Sequence, residues 1–392
     1  MSGTYDCLVI GCGFAGAVAA RELAERADMK VLVIDRRSHV GGNAYDVYND
    51  DGILVHLYGP HIFHTNSDRV FDYLSRFTAW RDYSHEVLAN VYGELIPVPF
   101  NLNSLHRVFE PDKARRLEDK LVSVYGKEKR VTISELLDSK DEEINELAQY
   151  VYKNIFLYYT QKQWGIAPKD IDPSVTARVP VLVSYDNRYF QDKYQGMPIN
   201  GYTPLFEKML EHRNIELRLN VDAKDVLELT EEGMLAWGKP FRGKVIFTGA
   251  VDELFECCYG RLPYRTLDFL FENHSRTFYQ TKGTINYTVD QLFTRITEFK
   301  HLTGQELTGK TSIMKEYPRA YTGAKDEIPY YAISNPENIA LYERYKSLTG
   351  KYSGLYLLGR LAEYKYYNMD AIVDGALVLA DNIIKDMKEN FQ

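Results

Sequence analysis

The alternation of apolar and polar positions gives its clearest signal at the start of the chain. Cys7, Leu8, Val9 and Ile10 form an unbroken apolar run, the pattern of a strand buried on both faces of a parallel sheet. The run enters Gly11, Gly13 and Gly16, spaced G-x-G-x-x-G, with Phe14 and Ala15 between the last two. Ala17–Arg26 is rich in Ala, Leu and Glu and predicts a helix, and Lys30–Ile34 predicts a second buried strand ending on Asp35. Strand, glycine turn, helix and strand in that order predict a dinucleotide site. The glycines let backbone approach a pyrophosphate, and the helix N-terminus offers unpaired N–H groups to it. An acidic side chain about 20 residues further on accepts from a ribose hydroxyl.

Beyond Asp35 the pattern changes several times. Arg36–Asp46 carries a glycine pair, Gly41-Gly42, which fits either a flavin-protein contact near the pyrophosphate or a plain turn. Tyr58–Thr65 (YGPHIFHT) predicts a rigid turn. His61 and His64 have no third metal ligand nearby, so the turn reads as a loop laid against a cofactor. Val87–Leu102 predicts two alternating strands broken at Tyr92-Gly93 and by two prolines. From Leu105 to Gln163 apolar residues recur every three and four positions, predicting a helical insertion of three or four helices. It ends in YYTQKQWG, which lacks periodicity and reads as a loop, with Trp164 either a core plug or a lid.

Arg178 lies in a Val- and Pro-rich segment, and Ser184–Thr203 is too polar for a core and too aromatic for a linker, which predicts a binding surface. Pro204–His212 predicts a helix, and Glu216–Leu219 and Lys244–Thr248 predict strands, the latter returning the chain to the first sheet. Leu267–Thr297 predicts alternating strands reaching Arg295, by pattern more often a solvent-face position than a ligand. Pro329-Tyr330-Tyr331 opens another strand, and Asn335 caps a helix to Thr349. Leu355–Leu358 predicts a buried strand entering Gly359-Arg360, followed by a terminal helix, Ala371–Lys388.

Composition narrows the function. A chain of 392 residues predicts two or three domains, and its net charge of −8 excludes a generic nucleic-acid surface. The start MSGTYD lacks the features of a signal peptide, and no stretch approaches a membrane span. Cys7, Cys12, Cys257 and Cys258 have neither disulfide-framework nor metal spacing, which predicts reduced thiols in the cytoplasm. Tyrosine is in excess, 31 residues, a composition that suits pockets for sugars, bases and phosphates as well as protein interfaces.

The blocks GCGFAGA, DRRSHVGGNAYD, YGPHIFHT, YTQKQWG, DNRYFQDKYQGMPINGYT, TRITEFKH, PYY and GRLAEYKYYNMD span nearly the whole chain. Together they resemble the UDP-galactopyranose mutase family, flavoenzymes that interconvert the six- and five-membered ring forms of UDP-galactose. The resemblance implies an α/β fold with three parts. They are a discontinuous FAD-binding Rossmann-like domain (1–85, 201–255 and 350–392), a helical domain with a mobile substrate loop (103–170), and an antiparallel sheet domain (86–102, 171–200 and 256–349). It implies reduced FAD as the active form: N5 attacks the sugar's anomeric carbon, UDP leaves, the ring opens as a flavin–sugar iminium, and the 4-OH closes in place of the 5-OH without net redox change. No Ser-His-Asp, paired-carboxylate or metal constellation stands out, as expected where the cofactor supplies the nucleophile. The product would be a furanose donor for cell-surface glycans. The implied assembly is a homo-oligomer, a dimer, with a nucleotide sugar as partner and neither nucleic acid nor membrane.

By resemblance Arg178 and Arg295 clamp the diphosphate, reached also by Tyr189, Tyr330 or Tyr331, and Tyr366. Phe156 and Tyr159 hold the uracil, Trp164 belongs to the substrate loop, and His61 lies close to the flavin ring. Gly11, Gly13, Phe14, Ala15, Gly16, Asp35, Arg36, Gly42, Asn43, Gly359, Arg360, Met369 and Asp370 contact the FAD. Two departures leave the sugar open. Asn368 stands where many members carry Asp, and Ala332 follows PYY where Pro is commoner. The alternatives are a mutase for UDP-N-acetylgalactosamine or dTDP-fucose, an FAD oxidoreductase of amine-oxidase type, and a catalytically silent flavin-binding protein.

Overall fold

The computed structural model describes residues 5–165 and 180–389. The apolar run and the one after the first helix become adjacent parallel strands, β1 (Cys7–Ile10) and β2 (Val31–Asp35). Three later segments join them: β3 (Ile215–Leu219), β4 (Lys244–Phe247) and β5 (Leu355–Leu357). The sheet order is β3-β2-β1-β4-β5, parallel throughout. Helix α1 (Phe14–Arg26) is buried almost all round, because it lies between this sheet and the C-terminal helix α2 (Met369–Glu389). Its Ala17, Ala20 and Ala24 share a core with Val373, Ala376 and Ala380, and such small side chains let the two helices approach closely.

A second sheet of seven strands carries the other half of the molecule. Its order is Tyr331–Ala332, Tyr264–His274, Thr311–Ala320, Arg295–Glu298, Thr284–Tyr287, Val87–Val91, Glu94–Val98. Every pairing is antiparallel except that of Thr284–Tyr287 with Val87–Val91. Those two strands lie far apart in sequence, so no tight turn forces an antiparallel pairing.

The helical insertion contains more segments than the periodicity predicts. Among the described residues they are Leu102–Val108, Pro111–Tyr125, Ile133–Leu137 and Glu142–Val151. The last runs through a wider π-helical stretch, Tyr152–Leu157, into Tyr158–Trp164. Asn101 and Ser104, and Thr132 and Glu135, form reciprocal capping boxes at two of these starts. The expectation that YYTQKQWG is a loop is therefore corrected: it is helix up to Trp164, and Gly165 ends it with φ +66°. Its buried positions are polar, Thr160 and Gln163, so hydrophobic periodicity could not reveal it. The helix expected from Pro204 likewise starts at Tyr202, because the carboxylate of Asp46 accepts from the N–H groups of Tyr202 and Thr203. α2 also starts earlier than expected, at Met369, with Ile372 N–H donating to Asn368 O.

Candidate functional site

The glycine turn after β1 is made by backbone contacts that exclude side chains. Gly11 has φ +104°, and a Cβ there would lie 2.0 Å from Thr248 Oγ1; one on Gly16 would lie 1.9 Å from Gly11 O. The second glycine pair packs directly on the first turn: Gly41 N–H donates to Cys12 O (3.1 Å), and a Cβ on Gly42 would lie 3.0 Å from Gly13 Cα. Asp35 braces the same turn, accepting from Cys12 N–H (3.0 Å) and Arg37 N–H (2.9 Å). No side chain of the described residues caps α1, and its first turn, with Phe14 and Ala15, carries no acidic residue, an arrangement that suits an anion. Gly359, with φ +103°, sits over Ala15, where a Cβ would be 3.3 Å away.

The neighbouring arginines behave differently. Arg36 points outward to Glu253 (3.5 Å), whereas Arg37 turns inward over the Tyr58 ring (4.4 Å). Arg37 Nη2 donates to Asn43 Oδ1 (2.9 Å), and its buried Nη1 has no hydrogen-bond partner among the described residues. Sequence reading singled out Arg36 and missed Arg37. An exposed turn following a strand gives no period from which to choose between adjacent residues.

His61 lies beyond the Gly59-Pro60 turn. Its Nδ1–H donates to Gly59 O (2.9 Å), and its backbone N–H donates to His56 Nδ1 (3.1 Å). Burial pushes His61 down to about 3 and His56 to about 4, so both imidazoles are neutral at pH 7. His64 is occupied elsewhere, pairing with Asp192 (3.0 Å) and stacking on Phe190 (3.6 Å).

The other half of the site is built by side chains on the seven-stranded sheet. Strand register places Asn286, Arg295 and Glu316 side by side across three strands. Arg295 is therefore not a solvent-face residue. Its Nε lies 3.4 Å from Glu316 Oε2, and its Nη2 donates to Tyr159 Oη (2.7 Å). Burial works against the charge on Arg295, but Glu316 together with Tyr159, Tyr331 and Tyr189 more than offsets this and holds the guanidinium protonated. Glu316 itself is raised by burial and pulled back by Arg295. Asn286 Oδ1, Arg295 Nε and Glu316 Oε1 are all buried without a hydrogen-bond partner among the described residues. Glu316 was missed in the sequence. The available signal was an acidic residue on the same face of its alternating strand as the buried Met314.

Around this row the tyrosines gather. Tyr331 stacks on Tyr366 (6.2 Å, 12° between planes) and meets Trp164 (5.8 Å). The Arg360 guanidinium lies 4.8 Å over Tyr366 and donates to Tyr367 O (2.7 Å). Tyr330 is buried edge-on to Phe269 (5.7 Å), and Tyr189 donates its N–H to His85 O (2.7 Å). Phe156 is buried in the helical insertion's core, against which Tyr189 also packs. Asn368 is exposed, and Asp370 accepts from Ala371 N–H (2.8 Å). Arg178 lies outside the described residues. Arg295, Tyr159, Trp164, Tyr331, Tyr366 and Arg360 thus form one connected cluster, while Arg36 faces away from the glycine turns.

Comparison with known proteins gives the family and the fold. The UDP-galactopyranose mutase family profile matches residues 154–366, and a profile for NAD(P)-binding Rossmann-like domains matches residues 9–77. The chain is 35% identical to the dTDP-fucopyranose mutase of Escherichia coli, over 97% of this chain and 99% of that protein. It is also 35% identical to a probable UDP-galactopyranose mutase of Klebsiella pneumoniae, over 97% and 95%. A crystal structure of reduced UDP-galactopyranose mutase superposes with a TM-score of 0.70 at 16% identity, covering 98% of this chain and 94% of that one. Among the described residues no helix is long and apolar enough to cross a membrane.

Proposed function

The chain belongs to the UDP-galactopyranose mutase family, a nucleotide-sugar isomerase by descent, and from that premise we propose that it interconverts UDP-galactopyranose and UDP-galactofuranose on a bound FAD. The observation that carries this reading is the Arg295–Glu316–Tyr159 arrangement, a permanent cation held between a buried carboxylate and a tyrosine hydroxyl at a tyrosine-lined site.

The residues present fit FAD. The glycine turns form a cradle that a Cβ would fill, α1 has an uncapped N-terminus, and Arg37 holds an orphaned buried N–H beside them. Gly11, Gly13, Gly42, Arg37, Asn43, Gly359 and Arg360 would hold it. When bound and reduced, the flavin supplies a nucleophilic nitrogen at the anomeric carbon of the sugar with no net change of redox state. The protein's share is positioning and electrostatics. Arg295 balances the charge that develops on the departing diphosphate. Tyr159 accepts from Arg295, and burial holds its phenol protonated, so its own O–H remains available to an anionic oxygen. Neutral His61 keeps its Nε2 lone pair for a donor, because Nδ1 carries the proton.

A second sugar has a specific observation in its favour. The dTDP-fucopyranose mutase is as similar to this chain as the K. pneumoniae protein, and Asn368 is exposed at the start of α2. The discriminating experiment is an exchange assay with UDP-galactofuranose and dTDP-fucofuranose, each with and without dithionite. Conversion of UDP-galactofuranose only after reduction supports the proposal. Conversion of dTDP-fucofuranose alone overturns galactose as the sugar.

A further inference from the structure

The helix Tyr158–Trp164 carries two members of the site, Tyr159 and Trp164, and its last turn is tied down by two cations from opposite sides. Arg265, on the strand Tyr264–His274, is 8% exposed and has no carboxylate within ion-pair distance among the described residues. Its guanidinium instead donates Nε–H to Gln163 O (3.1 Å) and Nη2–H to Lys162 O (3.2 Å), two of the carbonyls a helix leaves unpaired at its C-terminus. A buried charge of this kind is tolerable because the negative end of the helix dipole faces it. Gly165 completes the fit: it has φ +66°, and a Cβ there would lie 2.5 Å from Arg265 Nη1. Lys162 reaches the other way, donating Nζ to Tyr287 O (2.5 Å) and Gln291 O (2.9 Å).

The backbone of Arg265 is engaged as well. It pairs in register with Tyr331, and its carbonyl accepts from Tyr330 N–H (2.8 Å). One residue therefore holds the Tyr330–Tyr331 segment through its main chain and the Trp164 turn through its side chain, and Trp164 and Tyr331 face each other at 5.8 Å. We propose that Arg265 is a positioning residue, which sets Trp164 and Tyr159 against Tyr331 and Arg295 by capping the helix that carries them. This rests on the mutase reading only for its effect on turnover.

The test is a holoenzyme with Trp80→Phe and Trp237→Phe, in which Trp164 is the sole tryptophan. Arg265→Met is expected to raise acrylamide quenching of Trp164 about threefold or more and the KM for the nucleotide sugar about tenfold, with flavin content and visible spectrum unchanged. Arg265→Lys, which keeps a cation and fewer donors, is expected to recover part of both. Unchanged quenching in Arg265→Met overturns the proposal. If that variant does not fold, Arg265→Lys is read alone: it keeps the charge with fewer donors for the two carbonyls, and quenching equal to that of the parent protein overturns the proposal. Quenching needs no substrate, so altered quenching in a protein that turns over no UDP-galactofuranose sustains the proposal and refutes the galactose reading alone.

Discussion

The glycine cradle and the Arg295 row are two ways of building a binding site. The cradle is made of backbone, from turns at Gly11–Gly16 and Gly41–Gly42 that touch each other directly. It leaves no room for a Cβ at Gly11 or Gly16, and its positive charge comes from the N–H groups at the start of α1 and from Arg37. The row is made of side chains whose positions depend on strand register: Asn286, Arg295 and Glu316 come from three strands, and Tyr159 comes from a helix in another region. The cradle should fail through sterics and the row through charge.

Acid should separate them most strongly. His85 feels the charge of Arg295 and is buried, as is His56 against Tyr202, while His61 is half-buried; desolvation pushes His56, His61 and His85 down to about 4, about 3 and about 3. In the unfolded chain these imidazoles take up protons near the usual value of about 6.5. Between that pH and about 4 the unfolded state therefore binds more protons, and stability falls as pH drops through the window, by up to about 1.4 kcal/mol per histidine per pH unit. Urea midpoints at pH 7 and pH 5 check this. Equal midpoints would mean that the histidines are solvated.

Next in size is Arg295→Met. It leaves Glu316, 1% exposed, as a buried carboxylate without a cation, at a cost of about 3–5 kcal/mol in stability. Activity should fall by about a thousandfold, since the charge opposing the leaving group is gone. Arg295→Met/Glu316→Leu should recover much of the stability and none of the activity, which separates the row's structural cost from its function. Gly11→Ala follows, with strain of about 1–3 kcal/mol from φ +104° and the contact with Thr248 Oγ1. Its readout is loss of bound flavin on desalting, with the seven-stranded sheet intact by circular dichroism.

The same contrast explains what could be read in the sequence. The cradle was legible because its determinants are local: a strand, three glycines and a helix within twenty residues dictate one geometry. The parallel sheet followed from short apolar runs such as Lys244–Phe247. The row was not legible, since Arg295 in an alternating strand looks the same whether it faces water or Glu316, and only the pairing of Arg295 with Glu316 decides. Helix Tyr158–Trp164 was hidden for a related reason: its inward positions, Thr160 and Gln163, are polar, and its C-terminus is capped by an arginine about a hundred residues away.

Tyr159→Phe should have the smallest effect and be the most discriminating. It removes the acceptor of Arg295 Nη2 and keeps the ring, so the loss is one hydrogen bond to a charged group, ordinarily about 1.5–3 kcal/mol. Glu316 still neutralises the guanidinium, which places the expected loss at the lower end, about tenfold in kcat/KM. Flavin retention should not change, because none of the cradle's described contacts involves this helix. If Tyr159→Phe also loses flavin, the two regions are energetically one, and strand register would have to govern the cradle as well as the row.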